Sequence, residues 1–440
     1  MKKIIIMLLL PLAVVSQKNY PALLDDYAQA AFKVKDFNGA MLVMQKGKVI
    51  YKKAFGMADK EWNVPNTVNT KFRIGSVTKQ FTATCILQLA EQGKLSIDDK
   101  LSKYIPDYPK GDSITIHMLL NHTSGIKNYT DLPEFWPKAV LPLSIDSMIA
   151  LFKNEPLDFS PGTKWNYSNS GFFLLGVIVE KASGKKFNDY LLENVIKKVG
   201  LKNTSMDRLD SVLAFRAKGY DKSQQGVWQH AMYISMEGPF SAGAIVSTVD
   251  DLYQWTEALH HNEVLSAEST KKMMTPYINH YGYGIGIDSL GSHKRVSHNG
   301  GIPGFVTNLS YYPADDVCVV VLSNNGSNSD GVSAALASIM FDLPVQKPYI
   351  PKEVKIDLAI LDNYVGKYIA TQPIELIKKD GKLYRHRDGA DDIELKPESK
   401  TRFFYADGSD RFVEFEVDKS GKIIKSWLIA SGNKIEMKKK

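Results

Sequence analysis

The alternation of apolar and polar positions changes period several times along the chain, and each change predicts an element. Leu23 to Phe32 has helical spacing. Ala40 to Phe55 turns strand-like, and Lys46-Gly47-Lys48 interrupts it, which predicts a β-hairpin. Ser76 then opens a run to about Gln92, with Gly93 as its stop. This run is apolar on nearly every face: Val77, Phe81, Ala83, Cys85, Ile86, Leu87, Leu89 and Ala90. A helix apolar all round is buried, so Ser76 and Lys79 are expected at the mouth of a central helix. A helical middle follows, from about Thr115 to Val199, with Phe172 to Lys181 its most apolar part. Ser247-Thr248-Val249-Asp250 reads as a capping box opening a helix through Trp255. Strand patterns return in Tyr281-Gly282-Tyr283-Gly284-Ile285-Gly286, in Thr307 to Tyr312 and in Val317 to Ser323. Strands at both ends with helices between predict an α+β domain whose sheet joins the two chain ends.

The pattern shifts again near Leu343. Pro344, Pro348 and Pro351 mark residues 344–356 as a linker. Beyond it, short strand-like runs alternate with turn pairs such as Asp380-Gly381, Asp407-Gly408 and Ser420-Gly421. Residues 357–440 therefore read as a small antiparallel barrel or sandwich, without a catalytic constellation of its own.

The first residues carry a different signal. Lys2 and Lys3 precede a short apolar stretch, Ile4 to Val15, and Val14 and Ser16 are small enough for a cleavage site. Residues 1–16 are thus read as a signal peptide, with cleavage near Ser16/Gln17 and a main domain over residues 17–343. The expectation is a secreted or periplasmic protein without a stable membrane anchor, because the apolar stretch is too short for a comfortable span.

Composition adds limits. With 44% apolar and 23% charged residues the chain is an ordinary globular protein, which excludes disordered and fibrous classes. The net charge of +7 would fall to +5 without Lys2 and Lys3. No basic stripe with interleaved aromatics points to nucleic acid. The two cysteines, Cys85 and Cys318, sit in apolar runs and read as buried free thiols.

Three separated motifs carry the candidate chemistry. They are Ser76-Val77-Thr78-Lys79, Tyr167-Ser168-Asn169 and His298-Asn299-Gly300-Gly301. Ser-x-x-Lys alone is uninformative, since it recurs at Ser124/Lys127, Ser183/Lys186, Ser269/Lys272 and Ser431/Lys434. Only the first copy opens a buried helix. There, positions three apart share a face, so the Lys79 amine can reach the Ser76 hydroxyl. The helix N-terminus and burial both favour a neutral lysine, and hence a base. Tyr167 can relay a proton if neighbouring cations lower its pKa. Asn169 can bond a substrate amide or Lys79. Glycines after His298 allow close approach to a strand, and the N–H groups of Ser76 and Gly301 make a plausible oxyanion pair. Together these residues form a kit for acyl transfer through serine. There is no His-Glu-x-x-His, no Cys-x-x-Cys, no dinucleotide fingerprint and no phosphate loop, so neither a metal nor an organic cofactor is implied.

On these motifs the chain resembles the serine β-lactamase and penicillin-binding-protein superfamily. Within it, the class C β-lactamase-like group, with D-alanyl-D-alanine carboxypeptidases, D-aminopeptidases and esterases, is the most similar. The resemblance rests on Phe72 to Ala83, Leu119-Leu120-Asn121-His122-Thr123-Ser124-Gly125-Ile126, Pro161 to Gly171, Ser247 to Leu252, His298 to Phe305 and Leu322-Ser323-Asn324. It implies a β-lactamase/transpeptidase-like domain, in which an antiparallel sheet is flanked by helices beside a helical subdomain. It also implies a small β-barrel appendage at the C-terminus. By the same resemblance Ser76 is the acylated nucleophile, Lys79 its base and Tyr167 the proton shuttle. Asn169, His298, Gly300 and Gly301 would bind substrate. His298 departs from the Lys-Thr-Gly of true β-lactamases, which tilts the expectation toward D-residue peptides, peptidoglycan fragments or small esters. The alternatives are a penicillin-binding sensor with little turnover, a class C-like β-lactamase and a dead binding module. A homo-oligomer is left open.

Overall fold

The computed structural model describes residues 18–440 apart from 209, 224, 371, 410, 431 and 432. The signal-peptide reading falls on residues 1–16, outside the described residues.

Helix α1 spans Tyr20–Lys35, capped by Asn19, whose side chain accepts from the Ala22 N–H. Its inner face is Leu24, Tyr27, Ala28 and Ala31, the spacing of one helical stripe. The predicted hairpin follows as β1 (Gly39–Gln45) and β2 (Lys48–Phe55). Lys46 and Gly47 both have positive φ, 50° and 72°, the pairing that a two-residue hairpin turn requires.

Helix α2 (Thr78–Glu91) is the buried helix expected from the sequence, though its first turn is tighter. Ser76 lies in a 3-10 turn over Gly75–Val77, and α-helical geometry starts only at Thr78. Helix α3 covers Asn169–Ser183 and α4 covers Val249–His260. The cap of α4 is Thr248, one residue later than the capping box predicts. The Asp251 carboxylate turns instead to the Asn203 N–H and the Thr204 hydroxyl.

The late strands are β3 (Gly286–Leu290), β4 (His293–Ile302), β5 (Phe305–Tyr312) and β6 (Val317–Ser323), followed by α5 (Ser329–Met340). Sheet order is β3-β4-β5-β6-β1-β2, entirely antiparallel, so the two chain ends do share one sheet. One correction concerns Tyr281 to Ile285, which is a tight loop rather than a strand. Gly284 has φ +68°, and a Cβ there would lie 2.7 Å from the Lys79 carbonyl oxygen. The alternating glycines thus serve close packing on the first turn of α2.

β1 and β6 are buried on both faces. Met41 and Val43 face α1 and α5, whereas Ala40, Leu42 and Met44 face the core around α2 and α4. Each such fully buried large aliphatic side chain contributes about 1.5–3 kcal/mol relative to an exposed one. The sheet and α2 are thereby locked together, with the Gly75–Val77 turn between them. Both cysteines are buried and free.

Beyond residue 343 the chain stays in contact with both regions. Lys347 pairs with Asp26 of α1, Tyr349 stacks on Phe412, and Arg402 donates to Gln346. Eight strands then form a closed antiparallel barrel, β7 to β14, running from Gly366–Ile369 to Asn433–Lys439. Its own core includes Leu376, Leu383, Leu395, Phe403, Val413 and Phe415. The barrel alternative was therefore the right one. Among the described residues, no helix is long and apolar enough to cross a membrane, and no cluster of His, Cys, Asp or Glu could hold a metal ion.

Candidate active site

Ser76 and Lys79, at the start of α2, and Tyr167 and Asn169, at the start of α3, converge from two segments. The Ser76 Oγ lies 3.1 Å from the Lys79 Nζ and accepts from the Tyr167 hydroxyl at 2.7 Å. Lys79 is fully buried, with its Nζ 2.7 Å from the Asn169 Oδ1 and 2.8 Å from the Ala242 carbonyl oxygen. Both of these oxygens can only accept. A neutral amine would direct its two N–H bonds at them and leave its lone pair facing the Ser76 hydroxyl. Burial is the physical cause that favours this form, because it pushes the Lys79 pKa well below its ordinary value of 10.5.

Tyr167 departs from the sequence expectation. No cation lowers its pKa. Desolvation raises it, and the hydrogen bond to Ser76 offsets this only in part. It is held as a neutral phenol that donates a proton toward Oγ.

His298 is also neutral. Its Nδ1–H donates to the Asn299 carbonyl oxygen at 2.5 Å, which leaves Nε2 to accept from the Tyr281 hydroxyl at 2.7 Å. Burial and the nearby Lys79 push its pKa down to about 3. The third motif therefore offers no fixed positive charge.

The two glycines after His298 differ. Gly300 is buried, and a Cβ there would sit 2.0 Å from the Ile74 carbonyl oxygen and 2.5 Å from the Thr307 Oγ1. Gly301 is exposed and a Cβ there would meet nothing within 4 Å. A Cβ on Gly75 would come within 2.9 Å of the Gly301 nitrogen, so that nitrogen lies against the turn that carries Ser76.

Several contributors were not anticipated. His122, at φ +62°, accepts from the Ser168 N–H through Nδ1 and packs its ring on Tyr167 and Tyr281 at 4.4 and 4.7 Å. Tyr281 holds His298. Asn128 braces Asn169. Asp207, whose side chain is 1% exposed, binds both Arg73 and Arg216 and thereby anchors the strand leading into Ser76. His122 stands inside a motif quoted above for the resemblance, and Asn128 lies two residues after it. Ala242 contributes only a carbonyl and leaves no side-chain signal.

With this geometry in place, comparison with known proteins decides the family: the profile of the Beta-lactamase family matches residues 25–339. The chain belongs to the Beta-lactamase family. It is a serine hydrolase of the β-lactamase and penicillin-binding-protein superfamily. It is 30% identical over 398 residues to penicillin-binding protein 4* of Bacillus subtilis, covering 84% of this chain and 88% of that protein. It is 27% identical to the teichoic acid D-alanine hydrolase of Staphylococcus aureus, covering 72% of this chain and 77% of the other. Among solved structures, a penicillin-binding protein from Bacillus halodurans superimposes with TM-score 0.66 at 31% identity, covering 71% of this chain and 98% of that one.

Proposed function

We propose that the protein is an exported hydrolase that forms an acyl-enzyme on Ser76 and acts on D-residue peptides, peptidoglycan stem peptides or small esters. The observation that carries this reading is the Ser76 Oγ held between the buried Lys79 amine and the Tyr167 hydroxyl. Lys79 takes the Ser76 proton as Oγ attacks the substrate carbonyl. The N–H groups of Ser76 and Gly301 stabilise the oxyanion. Tyr167, a neutral phenol, protonates the departing amine or alkoxide. The Lys79 ammonium returns its proton to the Tyr167 phenolate. Water then attacks the acyl carbonyl and gives a proton to the Lys79 amine, which passes it to the departing Ser76 Oγ as the intermediate collapses. The carboxylic acid product leaves and all three groups are restored.

The neutral His298 supports peptidase or esterase action over β-lactam hydrolysis, because it gives a substrate carboxylate no fixed cation. The hydrolase relative named for D-alanine, at 27% identity, favours D-alanyl acyl groups.

The test is pre-steady-state turnover of a p-nitrophenyl ester by wild type and Ser76→Ala, followed by D-alanyl peptides and esters. A burst with turnover, both lost in Ser76→Ala, is expected. Turnover that survives in Ser76→Ala removes the assignment. A burst without turnover redirects it to a sensor that acylates and stalls.

A further inference from the structure

The Lys79 amine can act as a base only if its two carbonyl partners stay carbonyls. Ala242 supplies one from the backbone and cannot change. Asn169 supplies the other from a side-chain amide, which could present its NH2 group instead. An NH2 group at that place would donate to the Lys79 lone pair and take it away from Ser76. Something must therefore fix the amide.

We propose that Asn128 is a positioning residue that keeps the Asn169 carbonyl on Lys79, and that Asp131 in turn fixes Asn128. This rests on the reading of Lys79 as the base. Asn128 is buried. Its Oδ1 accepts from the Asn169 backbone N–H at 3.0 Å and from the Asn169 Nδ2 at 3.3 Å. The first of these is an N–H in the opening turn of α3, which has no partner within the helix. With Nδ2 held on this side, only Oδ1 of Asn169 faces Lys79. Asn128 is itself oriented by its Nδ2, which donates to the Asp131 Oδ1 at 3.0 Å and the Thr130 Oγ1 at 2.7 Å. A carboxylate only accepts, so the Asn128 amide has one orientation. The order of dependence runs from an exposed carboxylate through two amides to the amine and its lone pair.

The titratable groups around Lys79 are Tyr167 from the loop before α3, His122 from the loop after the short helix Ile116–Leu120, and His298 from β4. Burial alone accounts for the lowered Lys79 pKa, with no carboxylate contributing. A negative charge brought to position 128 would raise it.

The test compares Asn128→Leu with the exchange Asn128→Asp plus Asp131→Asn, in full-length protein, by ester burst rate across pH. Asn128→Leu is expected to slow acylation at least about 30-fold with KM little changed, a partial loss of the about 10²–10⁴-fold that a general base supplies. The exchange keeps acceptors toward Asn169 and an amide donor toward position 128. It is expected to recover most of the rate, with the acid limb displaced to higher pH. A folded Asn128→Leu with wild-type rate and acid limb overturns the proposal, as does a folded exchange variant no faster than Asn128→Leu. If Asn128→Leu does not fold, Asp131→Ala reads the relay from its exposed end. A several-fold slower burst supports the proposal and an unchanged burst overturns it. Ser76→Ala is measured alongside. If it keeps the burst, the nucleophile reading fails and this inference with it. If it is dead while Asn128→Leu is normal, this inference alone fails.

Discussion

Replacing Gly300 by alanine isolates the contribution of strand placement from that of side-chain chemistry. The added methyl would stand 2.0 Å from the Ile74 carbonyl oxygen and 2.5 Å from the Thr307 Oγ1. Carbon does not approach backbone oxygen below 3.0 Å, so β4 and the Ile74 segment must separate by about 1 Å. Ile74 is two residues before Ser76, the proposed nucleophile, and Gly301, whose N–H is proposed to bind the oxyanion, is one residue after the substituted position. The movement therefore falls directly on the geometry of attack. A misplacement of about 1 Å can cost about 10²-fold in rate, and loss of one oxyanion donor costs about 10²–10³-fold. Gly300→Ala is accordingly expected to reduce the ester burst rate by about 10²-fold or more. Ester affinity should change less, since the contacts that bind the rest of the substrate remain. Gly301→Ala, with open space at its Cβ, should fold as the wild type does. The assay is single-turnover acylation, with thermal unfolding of each variant as the check on folding. A Gly300→Ala protein with wild-type acylation would refute the claim that close β4 contact organises the site.

Three further outcomes follow from the same geometry. Burial lowers the Lys79 pKa, so acylation should rise with pH as Nζ loses its proton, with a midpoint well below 10.5; a midpoint near 10.5 would contradict a buried base, and Lys79→Met should abolish the burst. Tyr167→Phe should slow acylation by about 10²-fold, and because desolvation raises the phenol, the wild-type rate should show no alkaline fall up to about pH 10, the ordinary tyrosine range. Asp207→Ala leaves the largely buried Arg73 without its carboxylate and should cost about 2–3 kcal/mol in urea unfolding, below the 3–5 kcal/mol of a fully buried pair because Arg216 is part-exposed; an unchanged midpoint would show that the pair does not anchor the strand.

What could be read in the sequence was set by how local the cause is. Ser76 and Lys79 were legible because three residues on one helix fix their separation, and an apolar run announces burial. The β1–β2 hairpin was legible for the same reason, since two residues of positive φ make its turn. Tyr281 was misread because alternation with glycine looks like a strand. The true cause is that Gly284 must approach the Lys79 carbonyl, a contact made by residues some two hundred positions apart. The choice between barrel and sandwich was equally distant, since closure depends on Tyr368 pairing with Lys439. Tyr167 was found through its motif, but the direction of its pKa shift was not, because that depends on which groups surround it. Asn128 carries no pattern at all; its meaning comes from an amide across the fold.

The polar groups of the site share one design, in which hydrogen bonds to groups that can only accept decide which atoms carry protons. The Asn299 carbonyl requires a proton on the His298 Nδ1, so Nε2 must accept from Tyr281. The Asn169 and Ala242 carbonyls take both hydrogens of a neutral Lys79, so its third position is a lone pair. Tyr167 is neutral and donates, so the Ser76 Oγ receives one proton and has its own free to give to Lys79. Burial removes the charged alternatives and these acceptors remove the wrong tautomers. A lysine can then act as a base without a carboxylate partner, and the site can admit a substrate carbonyl without a permanent cation at the third motif. This is why exchange of His298 for lysine is not conservative here. A lysine at 298 would add a charge beside Lys79 and lower its affinity for the Ser76 proton, while giving a substrate carboxylate the cation it now lacks. The expected result is a slower ester burst with tighter binding of carboxylate-bearing substrates, measured as opposite changes in acylation rate and Kd. Parallel changes in the two would show that position 298 does not act through charge.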